Sequence, residues 1–147
     1  MGARRFHLVA ILLLGSVLLV FVAAALPTLA ASAAPQASGL DVVVSEIAWM
    51  GTTTSYNDEW VELYNNTTSP VALTGWSLGA ADGTPSISLS GTIPPGGYFL
   101  LERTDDDSVP GVTRDLLYTG ALESEGEDLV LHDSTSTVID RVDCSVG

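Results

Sequence analysis

The chain is short and strongly acidic. Its 147 residues include 18 Asp and Glu against 5 Lys and Arg, so the formal net charge is −13 at pH 7. All the acidic residues follow residue 33, where the only cations of the Lys and Arg type are Arg103, Arg114 and Arg141. A surface of this charge repels phosphate backbones, and we therefore expect no direct nucleic-acid binding.

The first 33 residues have the pattern of an export signal. Arg4 and Arg5 precede an uncharged, apolar run over residues 8–25, and Ala31-Ser32-Ala33 then supplies the small residues that a signal peptidase accepts. We predict a signal peptide over residues 1–33 and a secreted or cell-envelope protein. A retained membrane anchor is the alternative, because the run is close to the minimum length that spans a bilayer. Only in that case do we expect membrane contact.

After a linker at residues 34–41, short β-rich runs alternate with turns. Val61 and Leu63 point to one side of their run while Trp60 and Glu62 point to the other, and this period of two indicates a half-buried strand. Runs of this kind predict strands at residues 42–49, 59–64, 75–78, 86–89, 98–101, 128–131 and 138–142.

Turn-forming residues separate these runs, at residues 65–70, 82–83, 94–97, 125–126 and 133–136. No long apolar stripe at helical spacing occurs after residue 41. Short strands with frequent turns predict an all-β, antiparallel β-sandwich over residues 42–147. The last predicted strand ends just before Gly147, so a domain truncated at its C-terminus, as a fragment of a larger protein, is an alternative.

The sequence offers no defined catalytic set. Neither His132-Asp133 nor Cys144, the single cysteine, has the spacing or turn of a nucleophile with its base. Cys144 is either a free thiol or pairs with another chain. We therefore predict that the protein is not an enzyme and that it has no catalytic residue and no cofactor.

Two groups of carboxylates are candidates for chemistry. Acid and base residues that flank a glycosidic bond could come from Glu46, Asp58, Glu59 and Glu62. Glu59 and Glu62 lie three apart along a strand, however, and so point to opposite faces. The second group, Asp105-Asp106-Asp107 with Glu102 and Asp115 nearby, resembles a calcium-binding loop only loosely, because three adjacent Asp residues cannot all converge on one ion. A solvated acidic loop is the preferred interpretation, and no metal ligand is predicted.

Two further features have structural explanations that we prefer. Trp49, Trp60 and Trp76 could stack on sugars, and the face of the strand that carries Trp60 could be semi-exposed, but packing in the core or between the sheets is the preferred explanation for all three. Residues 65–68 contain two overlapping N-glycosylation sequons, which matter only in a eukaryotic secretory pathway. Otherwise Asn65 is a turn-forming residue.

Six motifs occur in a characteristic order along the chain: Val44-Ser45-Glu46-Ile47-Ala48, Glu59-Trp60-Val61-Glu62-Leu63-Tyr64-Asn65, Leu73-Thr74-Gly75-Trp76-Ser77-Leu78, Ile93-Pro94-Pro95-Gly96-Gly97-Tyr98-Phe99-Leu100-Leu101, Gly126-Glu127-Asp128-Leu129-Val130-Leu131-His132-Asp133 and Val138-Ile139-Asp140-Arg141-Val142-Asp143. In this order the motifs resemble the lamin tail domain family over residues 42–143. The resemblance implies an immunoglobulin-like β-sandwich with no agreed catalytic residues, which serves as an interaction or targeting module.

The export signal and the lack of coiled-coil heptads distinguish the chain from nuclear lamins, and it is more similar to exported bacterial members of the family. We therefore expect a non-catalytic binding, targeting or structural module at the cell surface or outside the cell. Its expected partner is a protein or glycan of the cell envelope. One alternative is an accessory domain of a larger secreted hydrolase or nuclease, and another is a calcium-stabilised carbohydrate-binding module.

Overall fold

The computed structural model describes residues 37–105 and 107–144. Within these ranges the regular structure is entirely β, and the strands are β1 (Val42–Ala48), β2 (Trp60–Asn65), β3 (Val71–Ala72), β4 (Ser77–Ala80), β5 (Ser86–Ser88), β6 (Thr92–Ile93), β7 (Tyr98–Arg103), β8 (Leu116–Tyr118), β9 (Asp128–His132) and β10 (Val138–Asp143). The predicted signal peptide, residues 1–33, lies outside the described residues. Over the part of the chain that is described, no helix has the length and apolar character needed to cross a membrane.

The strands form two larger sheets and one short pair. Sheet I has the order β1-β2-β7-β8, sheet II has the order β10-β9-β4-β5, and β3 pairs with β6. The pairings are antiparallel except for β7 with β8, which is parallel. The predicted all-β sandwich is confirmed, and the parallel pair is a feature that the strand pattern did not indicate.

Alternating side chains from both sheets form one hydrophobic core. In β2, Val61 and Leu63 are fully buried while Trp60 and Glu62 on the other face are only partly buried, as the period of two predicted. Leu78, Leu129 and Leu131 contribute the same kind of fully buried side chain from sheet II. Each such side chain stabilises the fold by about 1.5–3 kcal/mol. The core therefore supplies the stability that an internal disulfide cannot supply here.

The two sheets meet differently at their two edges. At one edge β1 lies beside β10, where the Leu40 N–H donates to the Ile139 carbonyl and the Val44 N–H donates to the Asp140 carboxylate, each at 2.8 Å. At the other edge an open groove runs between β5 and β8, the last strands of their sheets. One edge of the sandwich is thus closed by hydrogen bonds and the other is open to solvent.

The segment that connects β7 to β8, residues 104–115, is called the crossover here. Phe99 and Leu101 of β7 belong to the core, so Leu100 and Glu102 face away from it, yet both are buried. The Val109 N–H donates to Glu102 Oε1 at 2.9 Å. The crossover therefore covers the outer face of sheet I at the end of β7.

The seven strands expected from the sequence are all present. The three additional strands, β3, β6 and β8, have only two or three residues each, which is too short for alternation to be visible. β8 forms because the crossover returns the chain beside β7, and this long-range contact has no local sequence signal.

Candidate functional site

Three carboxylates converge at the start of the crossover, and we call them the acidic cluster: Asp58, Asp105 and Asp107. One carboxylate oxygen from each lies within 4.8 Å of the others. Asp58 belongs to the loop between β1 and β2, whereas Asp105 and Asp107 belong to the crossover. The cluster therefore joins two segments that are far apart in sequence. Asp106, between the two crossover residues, lies outside the described residues.

The loop before β2 holds Asp58 in a fixed position. Asp58 is only 6% exposed, and its Oδ2 accepts a hydrogen bond from the Thr52 hydroxyl. The Thr52 oxygen in turn accepts the N–H groups of Thr54 and Ser55. Gly51 has a φ of +66°, and a Cβ there would lie 2.6 Å from the Ser55 carbonyl oxygen, so the tight loop requires glycine. Asp58 is thus presented by a loop organised by its own hydrogen bonds.

Glu102 lies in the same region and is completely buried. Its Oε1 accepts the Val109 N–H at 2.9 Å, but its Oε2 has no hydrogen-bond partner, and neither does the buried Ser108 hydroxyl. Arg103, the next residue, forms its ion pair with Glu59 at 3.0 Å. Among the ion pairs formed by described residues, none includes Glu102. A buried carboxyl group with one unpartnered oxygen is costly, because burial removes its hydration.

The acidic cluster brings like charges close together, and carboxylate groups within this distance repel one another. The donors are all oxygen atoms, with no histidine or cysteine among them. This donor set suits a hard cation such as Ca²⁺ and not Zn²⁺.

The residues that resemble a calcium-binding loop in the sequence do not all lie together in the fold. Asp105 and Asp107 do lie together, and Glu102 lies beneath the crossover that carries them. Asp115 does not join them, since its carboxylate accepts the Leu100 N–H at 2.8 Å and its N–H donates to the Leu100 carbonyl. The third carboxylate of the cluster is instead Asp58. It comes close to Asp105 and Asp107 because β2 pairs with β7, which is a long-range contact.

The carboxylates considered for glycoside chemistry separate in the fold. Glu59 is buried beneath the Arg103 ion pair and accepts the Leu122 N–H at 2.8 Å. Glu62 faces the outer side of sheet I, where it lies opposite Glu46 and accepts the Ser45 hydroxyl at 2.8 Å. The expectation that Glu59 and Glu62 face opposite sides is confirmed. Glu46 is exposed on this face, and Glu62 is partly buried.

The remaining polar candidates have structural roles or are far apart. Cys144 is a free thiol next to the start of β9, where its N–H donates to Glu127, while His132 ends the same strand. Their separation of roughly 16 Å along the strand excludes a Cys–His pair. The Asp133 carboxylate accepts the N–H groups of Thr135 and Thr137 and so organises the β9–β10 turn.

Two tyrosine rings form a pair on the outer face of sheet I, and one of them is exposed. Trp76 is buried in the core as expected, and Trp49 packs partly buried against that core, whereas Trp60 lies on the outer face of sheet I. On the same face Tyr64 lies opposite Tyr98 across β2 and β7, with ring centroids 5.0 Å apart and planes at 44°. Tyr98 is 58% exposed. This tyrosine pair is a surface on which a ligand could pack.

The two sheets around one core define the class of protein as an immunoglobulin-like β-sandwich. Residues 35–145 match the Lamin Tail Domain family, which is well over half of the chain, so the chain belongs to this family. A comparison with curated proteins finds no match.

Proposed function

We propose that this lamin tail domain is exported and acts as a binding, targeting or structural module at the cell surface or outside the cell. Two observations support the proposal. The family is one of non-enzymatic immunoglobulin-like domains, and the chain begins with the charged, apolar and small-residue segments of an export signal. Family membership is the observation that carries the proposed role, and the N-terminal sequence carries the location.

Export is tested on the full chain expressed in a bacterial host and followed through cell fractionation. We expect the protein in the medium or the envelope fraction, with Ala34 as the new N-terminus. A matched variant in which Leu13 and Leu14 are replaced by Arg should remain in the cytoplasm, because charges interrupt the apolar run. Recovery of the unaltered chain in the cytoplasm with Met1 or Gly2 at its N-terminus would contradict the proposal.

The partner that we expect is a protein or glycan of the cell envelope, and the tyrosine pair is the surface that we assign to it. Exposed aromatic side chains contribute a large share of the binding free energy at interfaces. Tyr64 and Tyr98 lie on a rigid pair of strands, so little conformational entropy is lost when they bind.

Binding is tested with the exported protein on a glycan array and by retention on isolated envelope fractions. We expect retention that falls at least about tenfold in Tyr98→Ser. Tyr56→Ser is the matched control, because Tyr56 is also highly exposed, at 77%, but lies in the loop before β2. No retained partner at high protein concentration would contradict the binding role, and equal losses in the two variants would contradict the assignment to the tyrosine pair.

A further inference from the structure

We propose that the groove between β5 and β8 binds an extended, positively charged peptide segment of a partner protein, which pairs with β5 as an added strand. The groove is distinct from the tyrosine pair, which lies on the outer face of sheet I. The inference therefore stands whether or not the protein is exported and whether or not the tyrosine pair binds a ligand.

The groove separates the last strands of the two sheets. β5 and β8 each have a neighbouring strand on one side only, which is β4 for the first and β7 for the second. The segments just before β5 and just after β8 are close together, since a Cβ on Gly120 would lie 3.2 Å from Pro85. β5 leads away from this contact and β8 leads towards it, and the groove between them has a volume of about 280 Å³. Two sheet edges therefore border one open groove.

The backbone of β5 presents hydrogen-bonding groups to the groove. In the antiparallel β4–β5 ladder the Pro85 carbonyl and the Leu89 N–H bond to the β4 side. Because bonded and non-bonded residues alternate along such a ladder, Ile87 belongs with these two, whereas Ser86 and Ser88 point their N–H and C=O groups away from β4. Both serines are exposed and line the groove. An extended peptide can pair with them, as strand addition requires.

The groove is uncharged although the protein is strongly acidic. Among the described residues that line it, none has a charged side chain. Proteins commonly protect an edge strand from pairing with charged residues, proline or a bulge. β5 and β8 contain neither charged residues nor proline, and their ladders are regular. At the closed edge, by contrast, β10 contains Asp140, Arg141 and Asp143. The open edges are thus available for pairing with another chain.

The choice of a positively charged peptide follows from the charge around the groove. All 18 acidic residues follow residue 33, where only three arginines oppose them. Such a field attracts cationic segments, and it repels both acidic segments and a second copy of the chain. The partly buried Leu116 and the exposed Leu117 add apolar surface to the groove. A strand in which basic residues alternate with apolar ones is therefore the segment that fits best.

The direct test uses the full chain and a fluorescein-labelled peptide of about seven residues that alternates lysine with valine. In about 0.15 M NaCl, fluorescence anisotropy should show one peptide bound per chain, and a peptide that alternates glutamate with valine should bind at least about tenfold more weakly. The amide hydrogens of Ser86 and Ser88 should exchange more slowly when the lysine peptide is bound. Absence of binding up to about 1 mM lysine peptide, or equal binding of both peptides, would overturn the proposal.

Ser88→Pro tests pairing with the backbone of β5. It removes an N–H that points away from β4, leaves the Leu89 bond to β4 in place and changes no charge. We expect it to bind the lysine peptide at least about tenfold more weakly. Ser88→Ala is the matched control, because it keeps the N–H and should bind as the wild type does. Wild-type binding by Ser88→Pro would mean that the peptide only follows negative charge, and equal losses in the two variants would exclude backbone pairing. Either result overturns the proposal.

Leu117→Lys tests the groove from its other side and leaves β5 unaltered. Leu117 is 41% exposed, so the fold should tolerate lysine, whose charge should weaken binding of the lysine peptide by about tenfold. Val112→Lys is the matched control, because Val112 is 51% exposed in the crossover and does not line the groove. Equal losses in these two variants would contradict the location. A wild-type dimer in sedimentation that Leu117→Lys abolishes would assign the groove to a second copy and overturn the choice of occupant.

Discussion

At the level of single residues, buried carboxylates are the unusual feature of this protein. Asp58, Glu59, Glu102, Glu127 and Asp133 are each at most 6% exposed. Asp133 accepts backbone N–H groups and Glu59 has an arginine, whereas one oxygen of Glu102 has no partner. The consequence of burial therefore differs from one buried carboxylate to the next.

Glu59→Ala is expected to destabilise the fold by about 3 kcal/mol, because it leaves the largely buried Arg103 without its counter-ion and removes the acceptor of the Leu122 N–H. Urea unfolding followed by tryptophan fluorescence measures the change. Arg141→Ala is the control. Its two hydrogen bonds to Asp128 lie at the surface, where ion pairs contribute little. Equal losses of stability in the two variants would contradict the buried role of Glu59.

Glu127 is expected to make stability depend on pH. Burial raises the pKa of its carboxyl group, although the Glu123 and Asp128 N–H groups partly offset this. The folded state therefore binds a proton more tightly than the unfolded state, and the associated stability is present below the ordinary Glu pKa and lost as the pH rises through the raised value.

The comparison is between the wild type and Glu127→Ala, by urea unfolding between about pH 4 and pH 7. Relative to the variant, the wild type should gain stability as the pH falls, because its folded state binds the proton more tightly than the unfolded state does. A stability difference that is constant over this range, or that changes in the opposite direction, would contradict the prediction.

At the level of elements, hydrogen bonds from side chains stabilise the turns together with those of the backbone. Asn65 ends β2 and is fully buried; its Nδ2 donates to the carbonyls of Ser69, Ile93 and Pro94, and its Oδ1 accepts the Thr67 N–H. One side chain therefore joins the turn after β2 to the turn before β7. The prediction of Asn65 as a turn residue is confirmed, because its side chain makes hydrogen bonds within the turn that follows β2.

Asn65→Ala is expected to destabilise the protein by about 2–3 kcal/mol, since several buried carbonyl groups lose their donor. Asn66→Ala is the matched control, because the neighbouring Asn66 is exposed and its amide makes one long contact, 3.4 Å, with the Leu40 carbonyl. The midpoint of urea unfolding should fall clearly in the first variant and hardly in the second. If both variants unfold alike, Asn65 does not join the two turns.

Some features of the strands can be predicted from the sequence, and others cannot. The alternation of Val61 and Leu63 with Trp60 and Glu62 predicted the two faces of β2 correctly, because a strand's side-chain period is local. The burial of Glu102 could not be predicted in this way. Its strand pattern assigns it to an outer face, and only the crossover, which returns to pair β8 with β7, covers that face.

At the level of the whole molecule, the dominant property is negative charge. The 18 acidic residues all follow residue 33 and repel one another in the folded domain. Added NaCl should therefore raise the unfolding midpoint in EDTA buffer, as the screening length falls from about 10 Å at 0.1 M to about 3 Å at 1 M.

Thermal unfolding in buffers that contain between about 0.1 M and 1 M NaCl tests this expected rise of the midpoint. The control is the double variant Glu46→Gln with Glu125→Gln, which carries two fewer charges and should respond less to salt. A midpoint that does not change, or that falls with added NaCl, would contradict the expectation that charge repulsion opposes folding.

The sequence by itself determined the fold class and the family. Alternation, turn residues and the order of motifs are local properties that remain readable along the chain, and the Lamin Tail Domain match agrees with them. Only the tertiary structure decided that Asp58 joins Asp105 and Asp107, that Asp115 does not, and that Glu102 is buried with one unpartnered oxygen. The first of these facts depends on loops that meet across more than 40 residues, and the other two depend on how the crossover folds back on β7. No local pattern records such a meeting, because it is fixed by the packing of the two sheets as a whole.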